Sequence, residues 1–109
     1  MPAWTRESAE PVLRAAEVTE ETFEALVAVA LHERDGTWVQ EHCLRLLNSP
    51  DPQLQALAAT CLGHVARLHP EIDHAAAVAA LERLRSDGSV AGTVEDALED
   101  IAQFARSES

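Results

Sequence analysis

From Asp51 the chain runs through Pro52 to Leu54, Leu57, Ala58, Cys61, Leu62, Val65 and Leu68, and meets a second proline at Pro70. Apolar residues return every third or fourth position, which is one face of an α-helix. Asp51 is a helix N-cap, and Pro52 stands at the first helical position, where its missing N–H costs nothing. The opposite side carries Ala56, Ala59, Thr60 and Gly63, small residues instead of charged ones. A helix apolar on one side and small on the other is covered on both, so this helix belongs at the centre of the fold. The pattern then returns 36 residues later. Asp51 aligns with Asp87, Leu54 with Val90, Ala58 with Val94, Leu62 with Leu98, Val65 with Ile101, and Leu68 with Phe104. The helices that precede each copy align with one residue more, Leu44 on Leu81 and Leu47 on Leu84.

The remaining elements obey the same rules. Thr19 caps a helix over about residues 20–33, whose inward stripe is Phe23, Leu26, Val27, Ala30 and Leu31, and Asp35-Gly36 ends it. A helix over about 38–47 turns Val39, Cys43, Leu46 and Leu47 inward and stops at Asn48-Ser49-Pro50. Asp73 caps a helix over about 74–85, with Val78, Leu81 and Leu84 inward, and Asp87-Gly88 breaks the chain before the last helix, about 90–106. A short segment over about 10–18 supplies at most a turn or two of helix. The expected architecture is all-α: about five helices, as two helix pairs plus an N-terminal cap. In domain terms this is an arm or short helix over 1–18, one helical domain over 19–106 and a fraying tail over 107–109.

Composition narrows function. Nineteen acids face eight basic residues, all Arg, for a formal net charge of −11. Nucleic acids and anionic membranes are bound by basic surfaces, so neither is an expected partner; a basic protein is. No segment has the charged start and apolar centre of a secretory signal, and no uncharged run is long enough to span a bilayer. Cys43 and Cys61 both fall inside helices and fit a reducing compartment. The expected location is the cytoplasm.

A helix-pair period of this length is the signature of a stacked α-solenoid. Cys43-Leu44-Arg45-Leu46-Leu47, then Pro50-Asp51-Pro52, then Leu54, Ala58, Ala59, Leu62 and Gly63 resemble the HEAT-repeat pattern over about residues 38–104. Gln55 departs from it, where such units often carry Arg. The resemblance implies a right-handed α-α stack with the earlier helix as a half-unit cap. Trp38-Val39-Gln40-Glu41, Ala58-Ala59-Thr60-Cys61-Leu62-Gly63-His64 and Val94-Glu95-Asp96-Ala97-Leu98-Glu99-Asp100-Ile101 are similar to small bacterial HEAT-like proteins, some of which are immunity proteins encoded beside secreted toxins. That implies a non-enzymatic protein that binds and neutralises a basic toxin, such as a nuclease. The alternative is a HEAT-type scaffold or adaptor for a host protein or peptide.

Glu95, Asp96, Glu99 and Asp100 are the most informative polar set. Like charges four residues apart each cost a helix about 0.2–0.5 kcal/mol, and no basic residue lies between Arg85 and Arg106 to offset them. They are read as an acidic face for a basic partner, against the bland alternative of a solvated face near a helix start. Glu17, Glu20, Glu21 and Glu24 form a second acidic set, read as ordinary helix-start chemistry. Trp38 and Gln40 are candidate contacts at the layer edge, with burial as the competing reading for Trp38. Cys61, His64, His69, Asp73 and His74 lack any standard ligand spacing, so no metal site is assigned. Cys43 has His42 beside it in sequence, but adjacent helical residues point about 100° apart, so no catalytic pair is assigned. No cofactor is implied.

Overall fold

Four of the helix starts are set by side chains that accept backbone N–H groups. Thr19 accepts from Thr22 at 3.2 Å, Asp35 from Trp38 at 3.1 Å, Asp51 from Gln53 and Leu54 at 2.9 and 3.0 Å, and Asp73 from Ala76 at 3.0 Å. The computed structural model describes residues 4–15, 17–86 and 88–108, with side chains as far as residue 103. Its elements are α1 (Arg6–Ala15), α2 (Glu20–His32), α3 (Gly36–Leu46), α4 (Pro52–Leu68), α5 (His74–Arg83) and α6 (Ala91–Glu108). No strand occurs among the described residues. The Cα radius of gyration, 13.1 Å, is that of a closely packed chain of this length, about 13 Å.

The described residues form six helices where about five were expected. The segment expected to supply a turn or two is a full helix that begins four residues earlier. Thr5 and Ser8 cap it reciprocally, Thr5 Oγ1 accepting from the Ser8 N–H at 3.1 Å and Ser8 Oγ from the Thr5 N–H at 2.9 Å. Pro11 lies inside this helix, and Ala9 and Leu13 are buried. The helix contacts α2, so α2 is half of a pair and not a lone cap. A second correction concerns Asp35, read as the end of a helix. It is the N-cap of α3, and Gly36 is that helix's first residue.

Consecutive helices contact each other as α1 with α2, α3 with α4, and α5 with α6. The even-numbered helices also contact along α2, α4 and α6, with α4 in the middle and its most extensive packing against α6. Central α4 is what its small far side required. Leu54, Ala58, Leu62 and Val65 are buried; on the small side Ala59 and Gly63 are buried too, but Ala56 is half-buried and Thr60 is exposed, so that side is covered only in part. A Cβ on Gly63 would meet Ala97 of α6 at 3.6 Å, so the small residues let α6 lie close. Three of the repeated positions are occupied alike, Leu54 and Val90, Ala58 and Val94, and Val65 and Ile101 being buried in pairs, whereas Leu98, Leu44 and Leu84 are only half-buried against buried Leu62, Leu81 and Leu47. Asp87 and the side chain of Phe104 lie outside the described residues.

Three residues of the expected inward stripes are not inward. Val27 and Leu31 of α2 are 38% and 49% exposed, and Leu68 at the end of α4 is 53% exposed. The core side of α2 is taken by Thr22, Ala25, Leu26, Val29 and Ala30, which leaves Val27 and Leu31 on the far side.

Candidate functional site

The acidic set is split in two by the turn of α6. Glu95 and Glu99 lie toward α5, around a hollow that Glu82, Arg85 and Leu98 also line. Arg85 Nε is 3.8 Å from Glu95 Oε1 while its Nη1 is 3.3 Å from Glu82 Oε1. One cation therefore sits among carboxylates of α5 and α6, an offset supplied by the turn after α5 that α6 itself does not contain. Glu99 accepts from Gln103 at 3.5 Å. Asp100 lies toward α4, its Oδ2 3.7 Å from where a Cβ on Gly63 would stand. Glu95, Asp96 and Glu99 are exposed and Asp100 is half-buried.

Trp38 and Gln40 lie inside. Trp38 is 6% exposed and Gln40 is 3% exposed. The Trp38 indole N–H donates to Glu10 Oε1 at 3.0 Å, and its ring meets the His42 ring edge-on at a centroid distance of 4.5 Å. The Arg6 guanidinium stands 5.1 Å from the indole centroid, and Arg6 also pairs with Asp35 at 3.0 Å. Gln40 Nε2 donates to the Asp73 carbonyl at 2.6 Å, and its Oε1 accepts from the Asp73 N–H at 3.1 Å. The amide thus replaces a backbone partner for the α4–α5 connection. These residues tie α1 to α3 and the α5 cap to α3; they do not share a surface with the acids of α6.

The buried imidazole of His42 belongs to the same α1–α3 contact. Arg45 contacts His42 Nδ1 through Nη2 and donates through Nη1 to the Leu13 carbonyl at 3.1 Å. Burial, with the Arg45 charge second, pushes the His42 pKa down to about 4, so its ring is neutral near pH 7. The Trp38 hydrogen bond holds the Glu10 carboxyl below its ordinary value. Cys43 is fully buried and its thiol is pushed well up; burial pushes the Cys61 thiol up to about 12. Among the described residues no three His, Cys, Asp or Glu side chains come together to hold a metal. His69 Nδ1 is instead 3.1 Å from Glu71, and the His74 ring nitrogens lie near the Ile72 and Ala66 carbonyls at 3.2 and 3.4 Å.

Sequence reasoning missed an apolar groove on the surface. Along the outer side of α2, Phe23, Val27 and Leu31 form a groove with Trp4 and with Leu57 of α4, about 500 Å³ in volume. A signal for it exists. Residues 25–31 are all apolar, which is more than one buried face of a helix can use.

Among the described residues no helix is long and apolar enough to cross a membrane. No protein-family model and no curated protein matches the sequence. A solved structure does: a chain of the crystal structure of the CDI complex from Cupriavidus taiwanensis LMG 19424, 32% identical, covering 95% of this chain and 94% of that one with a TM-score of 0.81.

Proposed function

The chain belongs to the family of that CDI-complex chain, and on this premise we propose that it is the immunity partner of a contact-dependent-inhibition toxin. The observation that carries the reading is likeness over nearly the whole of both chains, in sequence and in fold, to a component of such a complex. Of the two roles in a toxin–immunity pair, the inhibitor fits this chain better. Its charge of −11 and its buried, high-pKa thiols suit a protein that covers a basic cleft more than one that performs chemistry. A nuclease is the toxin class that matches the charge, because a cleft that binds phosphates is cationic.

In this reading the helices form a HEAT-like stack of three pairs and act in the cytoplasm without a cofactor. Glu95, Asp96, Glu99 and Asp100 steer the toxin to the surface, and association slows as salt rises. Trp38 and Gln40 contribute by fixing α3 and the start of α5. The test is protection. Cells that express the toxin domain encoded beside this chain are expected to grow only when the chain is co-expressed, and the two proteins to purify as a complex. Arrested growth despite co-expression, with no complex formed, would refute the immunity reading.

A further inference from the structure

The geometry points to the outer groove of α2 as the seat of the toxin's docking segment: an apolar side chain that enters between Val27, Leu31 and Leu57, flanked by Arg or Lys residues that meet Glu20 and Glu24. This rests on the immunity reading and adds which surface is used and what chemistry fills it.

The centre of the groove is apolar and open. Val27 and Leu31 are two of the four large apolar side chains exposed among the described residues, and they stand one helical turn apart with Phe23 and Leu57 beside them. Exposed apolar side chains that cluster mark interaction surfaces, whereas scattered ones do not. Glu24 and His32 line the groove, and Glu20 stands one turn before Glu24 on the same side of α2. Glu17, Glu20, Glu21 and Glu24 are all exposed, α2 contains no Arg, and among the described residues none of the four forms an ion pair. Burying an apolar centre beside carboxylates that have no ion-pair partner favours a cationic rim on whatever covers it. The same charges argue against a second copy of this chain. A two-fold interface would bring together two molecules that each carry −11. The groove and Asp100 are reached from one helix: α4 supplies Leu57 to the groove and Gly63 beneath Asp100. A partner laid across α4 reaches both, which a toxin face of ordinary interface size requires.

The test compares V27Q/L31Q and E24K with the exposed α3 variant E41K, each titrated against the toxin domain encoded beside the chain. Gln keeps the helix and removes the apolar surface, and E41K repeats the charge change away from the groove. Circular dichroism and Tm report whether each variant is folded. V27Q/L31Q is expected to weaken binding at least tenfold at unchanged Tm, and E24K to weaken it more than E41K does. If V27Q/L31Q and E24K bind like the parent chain, the groove is not the seat, and the immunity reading survives. If the parent chain itself binds no toxin, the immunity reading fails and the groove's assignment with it. A parent chain that sediments as a dimer, converted to monomer by V27Q/L31Q, would reassign the groove to self-association and overturn the proposal.

Discussion

At the scale of single residues, the polar groups buried between α1 and α3 have the sharpest consequences. His42 is neutral in the fold, where its pKa is about 4 against 6.5 in the unfolded chain. A lowered histidine pKa means that the unfolded chain takes up the proton first. Stability is therefore full above pH 6.5 and falls as pH drops toward 4, by up to about 3 kcal/mol from this group. The Glu10 carboxyl, also lowered, acts in the same direction, since its contribution is present above its unfolded pKa and lost below. Relief of the −11 charge on acidification works the other way, so the informative quantity is a difference. Tm measured from pH 7 to 4.5 is expected to fall more steeply for the parent chain than for His42→Gln; equal slopes would mean that His42 does not titrate out of the fold. Gln40 gives a simpler case. Gln40→Ala leaves both the N–H and the C=O of Asp73 without their buried partner, at a cost of about 1–3 kcal/mol in chemical denaturation. A change below about 0.5 kcal/mol would show that water replaces the amide.

At the scale of elements, two glycines in helices separate by what surrounds them. A Cβ on Gly36 would lie 2.4 and 2.5 Å from His69 Cγ and Cβ, the stiff base of that side chain, where α3 begins against the end of α4. Gly36→Ala is expected to destabilise by about 1–3 kcal/mol through overpacking. Gly63→Ala meets Ala97 at an ordinary 3.6 Å and gains helix propensity, so it is expected to be neutral or to stabilise by up to about 1 kcal/mol. Thermal melts of the two variants should move in opposite directions or differ by several degrees. On α6, E95K/E99K exchanges a Glu–Glu repulsion for a Lys–Lys one and loses one exposed contact to Arg85, each small, so its stability should stay within about 0.5 kcal/mol of the parent. Its affinity for the toxin should drop more than tenfold, as a surface plasmon resonance series would read. Element legibility in the sequence tracked local chemistry. Asp51-Pro52 and Pro70 bracket α4 because caps and proline act over a few residues. α1 was not legible: its reciprocal cap uses Ser8 where Glu or Gln is usual, and Pro11 stands mid-helix. Asp35 reads equally as a stop or a start, and only the three-residue length of the connection makes it the cap of α3.

At the scale of the whole molecule, the 36-residue repeat carried the buried faces of α4 and α6 at three of its aligned pairs, while Leu98 is less buried than its counterpart Leu62. The third pair and the side on which α2 is left open were not legible, since which flank of a helix is covered depends on neighbours far along the chain. The acidic residues were legible as residues, but not their division between the α5 and α4 flanks of α6, nor that Arg85, in the turn after α5, offsets one of them. What these features share is a strongly acidic surface with an uncovered apolar groove, on a chain whose relative is part of a CDI complex. The most direct test is a calorimetric titration of the purified chain with the toxin domain encoded beside it, at low and at high salt. The immunity account predicts one-to-one binding that is tight at low salt and weakens at least tenfold at high salt. Absence of binding at both salts, or an affinity that salt leaves unchanged, would contradict it.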